Sequence, residues 1–259
     1  MLLNIDVALD YECTEALSIL LQIEAADGDG QTIRKAGLDI EGDPSTRMIE
    51  GDEGIGSRRW IWSERDFTAR YKAQVEVTRQ PFKLAELERE PLVRLPADVV
   101  KYIFASRYCD PIAFGSVAIE KFGGIPSGKT MAAMRDWVEE NFTYDSRASD
   151  ASTTGFDTWE KRAGVCRDYA HVMISLARSL SVPARMVSVY APDVNPQDFH
   201  AVAELWLGGE WRLVDATGMA HPHQMVRVGV GRDAADISFL TAFAPVNLKS
   251  QSVQVSRET

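Results

Sequence analysis

Three side chains in the second half of the chain have the types needed for an activated nucleophile: Cys166, His200 and Asp215. Cys166 lies in Gly164-Val165-Cys166-Arg167-Asp168-Tyr169-Ala170, where a glycine-marked turn runs into an amphipathic stretch. A thiol in the first turn of a helix feels the positive end of the macrodipole, which favours thiolate, the nucleophilic form. Free cysteine, with a pKa of about 8.5, is only a few per cent thiolate at neutral pH, so a neighbouring base is required. His200 is the candidate base, taking the thiol proton and later returning it to a leaving amine. Asp215 is the candidate acid that fixes the imidazole tautomer and stabilises the imidazolium, as in serine triads. The Cys166 amide, at a helix start, is a candidate oxyanion donor. Tyr144 and Trp159 are both candidates for a second donor, and the sequence does not choose between them.

The elements around these residues are legible. Ala201–Leu207 and Glu210–Asp215 are two β-rich runs split by Gly208-Gly209, a two-residue hairpin signal. That loop sets Leu207 opposite Glu210, Val202 opposite Asp215 and His200 opposite Thr217. His200 and Asp215 then become diagonal neighbours on one face, about 7 Å apart at the backbone. An odd loop without a compensating bulge would put them on opposite faces. Tyr169, Val172, Met173, Leu176, Ala177 and Leu180 form one apolar stripe, so a helix runs from Cys166 until Pro183 stops it, and Arg185 to Tyr190 reads as a strand. Met131, Met134, Trp137, Val138 and Phe142 predict a helix over 129–142, and 145–155 a loop.

The first part of the chain is β-rich. Phe67, Ala69, Tyr71, Ala73, Val75 and Val77 alternate with polar residues, and 3–9 and 17–23 are further strand candidates. Gly and Asp clusters at 27–30, 42–43 and 51–56 predict turns, so a sandwich or barrel-like module is expected. Pro81, Pro91 and Pro96 mark 81–96 as a connector, with a short helix starting near Pro96 and running through Tyr102. The expected division is a β-rich module over 1–95 and a second domain over 96–259.

Composition bounds the function classes. Of 259 residues, 45% are hydrophobic and 25% charged, as in ordinary globular proteins. The net charge of −10 argues against nucleic acid or an anionic membrane as partner. Cys13, Cys109 and Cys166, odd in number and widely spaced, do not form a disulfide framework. No apolar run approaches the ~20 residues of a membrane span, and the N-terminus lacks the basic region of a signal peptide. A reducing cytoplasm is the expected compartment.

Four linked segments resemble the bacterial transglutaminase-like superfamily, whose members share a papain-related thiol fold. Gly164 to Ala170 resembles its nucleophile segment, Val182-Pro183-Ala184-Arg185 its strand entry, Phe199-His200-Ala201 its histidine segment, and Trp211 to Thr217 its aspartate segment. The resemblance implies an α+β fold, with the Cys166 helix packed on an antiparallel sheet and an all-β module ahead of it. It also implies a catalytic Cys166, His200 and Asp215, a thioester intermediate, and a peptide or protein substrate, with neither cofactor nor metal. Members are transglutaminases, peptidases or amide hydrolases, and some have lost the triad. Val202 stands where the family usually has tryptophan and Ala216 where it has proline. Arg107-Tyr108-Cys109 and Gly231-Arg232-Asp233 also resemble recurrent pieces of this subgroup, without an assignable role.

Other signals compete. Gly123-Gly124-Ile125-Pro126-Ser127-Gly128-Lys129-Thr130 matches the phosphate-binding pattern G-x-x-x-x-G-K-[ST], although the preceding Ser116 to Phe122 suits a helix end as well as a strand. The bland alternative is a glycine-rich turn between helices. His221-Pro222-His223 offers only two imidazoles, a weak metal case. His171 points away from the thiol's side of its helix and is expected to pack or face solvent. The leading expectation is thiol-dependent acyl transfer or hydrolysis at an amide or isopeptide bond. The rivals are a catalytically silent scaffold of the same fold and a P-loop nucleotide-binding protein.

Overall fold

The computed structural model describes residues 1–41 and 45–258. The turn expected at 42–43 lies outside the described residues. In the first module the strands are β1 (Leu2–Cys13), β2 (Leu17–Leu21), β3 (Gln31–Glu41), β4 (Ser45–Glu50), β5 (Ser57–Ser63) and β6 (Phe67–Val77). Leu3, Ile5, Val7 and Leu9 alternate with more exposed residues along β1, as do Phe67, Ala69 and Tyr71 along β6. The period of two gives each strand one apolar face, and those faces meet in a shared core with Ile19, Leu21 and Ile61.

The middle of the chain forms α1 (Ala97–Val100), α2 (Gly115–Phe122), α3 (Gly128–Asn141), β7 (Thr143–Tyr144), α4 (Gly155–Lys161), β8 (Ala163–Gly164) and α5 (Cys166–Ser179). A four-stranded antiparallel sheet follows, built from β9 (Ala184–Tyr190), β10 (His200–Leu207), β11 (Glu210–Val214) and β12 (Val226–Gly231) in the order β11-β10-β9-β12. Helix α5 packs on it through Val172, Met173 and Leu176 against Ala184, Met186, Ala203 and Leu205. The opposite face buries Val187, Val189, Val202, Leu213 and Val230. This is the α+β, papain-like arrangement that the resemblance implies.

The chain ends with α6 (Ala234–Ile237), β13 (Leu240–Ala242) and β14 (Val246–Arg257). These last strands return to the β-rich module, giving sheet orders β14-β1-β6-β3 and β13-β2-β5-β4. β14 runs along β1 from Leu3 opposite Arg257 to Cys13 opposite Val246. The β sheets are therefore built from both ends of the chain, and residues 240–257 belong to them although the expected second domain ran to 259. Sequence patterning marks β14 as a strand but carries no information on which distant strand it pairs with.

The glycine-rich segment after α2 is a turn between helices. Gly123 caps α2 in the left-handed region at φ 79°, and the Ser127 hydroxyl caps α3 by accepting from the Thr130 amide at 3.2 Å. The Thr130 hydroxyl donates inward to the Ile125 carbonyl at 2.6 Å. What precedes the turn is helix, not the strand a phosphate-binding loop requires, so the nucleotide-binding expectation loses its structural context.

Candidate functional site

The nucleophile segment is held from both sides. β7 pairs in parallel with β8, with Tyr144 opposite Gly164, and the Asp145 amide donates to the Gly164 carbonyl at 3.0 Å. This pairing sets Tyr144 beside the start of α5. Asp168, fully buried, reaches back so that its Oδ2 accepts from the Val165 amide at 2.9 Å. Its other oxygen accepts from Arg167 Nε at 3.3 Å. Asp168 passes so close to Gly164 that a Cβ there would lie 2.7 Å from Oδ2, so any larger residue at 164 forces the Asp168 carboxylate or the turn to shift. Sequence reasoning missed Asp168; the signal was an acid three residues after the helix-capping position, the spacing at which a carboxylate folds back on the cap.

The hairpin has the expected register. Leu207 faces Glu210, Trp206 faces Trp211, and the ladder ends at Ala203 opposite Val214. Gly208 and Gly209 both have positive φ, 65° and 76°, as the favoured two-residue hairpin turn requires. Asp215 follows directly, and the contact it was expected to make is present: His200 Nε2 lies 2.9 Å from Asp215 Oδ2, both residues buried. Three further donors hold the carboxylate. Thr217 gives its amide at 2.8 Å and its hydroxyl at 2.7 Å to Oδ1, and the Ala220 amide donates at 3.0 Å to Oδ2.

With Nε2 engaged, Nδ1 is the ring nitrogen left for the thiol; it is buried with no other hydrogen-bond partner. The Cys166 thiol faces the His200 ring, and its sulfur lies 4.0 Å from the Phe199 carbonyl oxygen. Burial alone would raise the Cys166 pKa, but the His200 ring, the Ala201 amide and the Tyr144 hydroxyl outweigh it and lower it. For His200, burial opposes protonation, while hydrogen bonds to Asp215 and Cys166 overcome it and raise the pKa. Asp215, despite burial, is held below the usual carboxylate range by His200 and Thr217. The three directions agree on a thiolate beside an imidazolium backed by a carboxylate.

The other two cysteines behave oppositely. Burial pushes the Cys109 thiol up to about 12, and burial with the Asp66 charge raises that of Cys13. All three thiols are free.

The two oxyanion candidates part company. The Tyr144 hydroxyl lies against both the thiol and the amide of Cys166; burial and the charge on sulfur push its pKa well up, so it remains an O–H donor. Trp159 is buried in an aromatic cluster with Phe114, Trp137 and Phe142, under the Arg162 guanidinium at 3.8 Å. Its contacts are with that core, because α4 turns its apolar side to α3 and α5.

Arg107-Tyr108-Cys109 and Gly231-Arg232-Asp233 meet around α5. The Tyr108 amide donates to Asp233 at 2.8 Å, its ring stacks on His171 at 5.0 Å, and the Ala234 amide donates to His171 Nε2 at 3.2 Å. Burial drives the His171 pKa down to about 3, so this histidine packs as a neutral ring. Arg178, near the end of α5, donates to the Ser106 hydroxyl and to the carbonyls of Phe104, Ala184 and Arg232. The clamp fixes the helix whose first residue is Cys166. A buried ionic network, also missed from sequence, joins the modules: Glu204 binds Arg185 and Arg227, and Arg185 binds Glu53 of the β-rich part. Its members are far apart in the chain, so no local pattern marks it.

His221 and His223 stack at 5.7 Å and line a cavity of about 380 Å³ on the side of Asp215. Among the described residues no group of three or more His, Cys, Asp or Glu side chains is arranged to hold a metal ion. No helix among them is long and apolar enough to cross a membrane.

A thiol-bearing helix packed on an antiparallel sheet, with an imidazole–carboxylate pair on the sheet's hairpin, defines the papain-like class of fold. Comparison with known proteins narrows the class. Residues 123–216 match the family model of the transglutaminase-like superfamily. The structure superposes on that of a candidate cysteine protease from Cytophaga hutchinsonii with a TM-score of 0.92 and 30% identity, covering 99% of this chain and 90% of that one. The chain belongs to the transglutaminase-like superfamily. It is also 28% identical over 121 residues to an uncharacterized Mycobacterium leprae protein, covering 42% of each chain. A protein-glutamine gamma-glutamyltransferase of Pseudomonas aeruginosa is 27% identical over 135 residues, 47% of this chain and 20% of that one. The matches thus span less than half the length of these curated relatives. The family and fold are those of thiol-dependent acyl transfer in general.

Proposed function

We propose that Cys166, His200 and Asp215 form the triad of a thiol enzyme that breaks an amide or isopeptide bond in a peptide or protein substrate through a thioester. The observation that carries this reading is the buried His200–Asp215 pair at 2.9 Å, facing a thiol at a helix start whose pKa is lowered. The thiolate attacks the carbonyl carbon, forming the C–S bond and moving the carbonyl electron pair to oxygen. The Cys166 amide and the Tyr144 hydroxyl are the donors proposed for that oxyanion. Collapse expels the amine, which takes its proton from His200. His200 then accepts a proton from water, giving hydrolysis, or from a second amine, giving transfer, as that molecule attacks the thioester; collapse of the second intermediate breaks the C–S bond and returns the Cys166 thiolate beside protonated His200. Asp215 holds the ring and supports its charge throughout.

The test is trapping with iodoacetamide and with peptide and glutamine electrophiles near neutral pH. Cys166 should label at least tenfold faster than Cys13 or Cys109, and Cys166→Ala should lose the adduct. Labelling of Cys166 no faster than the other two would leave a silent scaffold of the same fold as the better account.

A further inference from the structure

One carboxylate at the lip of the thiol site has no part in the proposed triad. Asp198 stands two residues before His200, next to Phe199, whose carbonyl oxygen lies 4.0 Å from the Cys166 sulfur. Its Oδ1 accepts from the Phe199 amide at 2.8 Å and from the Gln251 side-chain amide at 2.6 Å, Gln251 being supplied by β14 of the β-rich module. These two bonds fix the rotamer and use one oxygen. Asp198 is exposed, and no hydrogen bond or ion pair among the described residues engages its Oδ2. Three arginines are paired with other groups: Arg257 with Asp193, Arg147 with Asp145, and Arg167 with Asp168, Ser149 and Asp150. The Asp198 charge acts on the Tyr144 hydroxyl, which itself lies against the thiol.

We propose that Asp198 is a specificity-determining residue of this thiol site. It selects peptide substrates that carry Lys or Arg within one or two residues of the amide Cys166 attacks. An extended peptide advances about 3.3 Å per residue, so a side chain that close to the reacting carbonyl reaches the lip where Asp198 stands. The carboxylate is held in place before any ligand arrives, which lowers the ordering cost of binding.

This inference rests on the proposed thiol chemistry, and the experiment separates the two. Second-order labelling rates are measured for peptidyl electrophiles that differ only in Lys, Gln or Glu beside the acyl group, in wild type, Asp198→Asn and Asp198→Lys. The readout is the Lys-to-Gln rate ratio within each protein, which cancels any change in intrinsic thiol reactivity. An exposed charge pair supports a ratio of about fivefold in wild type at low salt, shrinking at high salt. Asp198→Asn keeps the Oδ1 bonds and should bring the ratio near one; Asp198→Lys should favour Glu. A wild-type ratio near one, or an unchanged ratio in Asp198→Asn, overturns the specificity role while iodoacetamide still labels Cys166. If iodoacetamide does not label wild-type Cys166 selectively, the thiol chemistry fails and this inference falls with it.

Discussion

Asp215→Asn keeps the shape of the proposed triad acid and removes its charge. Both oxygens of Asp215 accept hydrogen bonds, from Thr217 on one side and from His200 and Ala220 on the other. An asparagine must therefore point its NH2 at existing donors whichever way it is turned. With the NH2 toward His200, the ring is forced to carry its proton on Nδ1, facing the sulfur, and can no longer take one from the thiol. A hydrogen bond to a charged group contributes about 1.5–3 kcal/mol, and about 1.4 kcal/mol is one pKa unit. Loss of the carboxylate should thus lower the His200 pKa, and raise that of Cys166, by about one to two units. The assay is the rate of Cys166 alkylation by iodoacetamide against pH, with Cys109→Ser and Cys13→Ser in the background. The midpoint of the variant should move up by that amount, and its rate at pH 7 should fall about 10- to 100-fold. An unchanged pH profile in a folded Asp215→Asn protein would refute the reasoning that this carboxylate sustains the thiolate.

Three other outcomes follow from the geometry. Tyr144→Phe removes the hydroxyl at the thiol and should lower kcat by about 10- to 100-fold with little change in KM, whereas an equal rise in KM would mark it as a binding residue. Gly164→Ala puts a Cβ 2.7 Å from the Asp168 carboxylate and should cost about 1–3 kcal/mol in denaturant unfolding; an unaltered midpoint would contradict the close approach. His171 has its folded pKa lowered to about 3 from 6.5 by burial, so below pH 6.5 the unfolded chain binds a proton the folded chain refuses. Stability from this residue is therefore complete above pH 6.5 and lost as the pH falls toward about 3, at about 1.4 kcal/mol per pH unit. Melting temperature against pH should flatten by one proton in His171→Gln relative to wild type.

Much of the candidate site is legible in local sequence because its geometry is locally specified. Gly208-Gly209 requires positive φ at both positions and so sets the hairpin register, which decides that His200 and Asp215 share a face. The apolar stripe from Tyr169 onward sets α5 and leaves Cys166 as its first residue. The turn that resembles a phosphate loop shows where local letters mislead: the pattern is complete, but a helix precedes it instead of a strand.

What the sequence alone determined is a helix start bearing a thiol and a hairpin bearing an imidazole and a carboxylate, each through short-range periodicity and turn chemistry. Only the tertiary structure decided that the two meet, since that depends on α5 packing across β9 and β10 and on the clamp of Tyr108, Asp233 and Arg178. The same holds for Tyr144, which the pairing of β7 with β8 sets beside Cys166 while Trp159 packs in the aromatic core, and for β14, whose return to β1 carries Gln251 to Asp198. These contacts join residues distant along the chain, so their selection rests on the burial of whole faces, which no short window of sequence records.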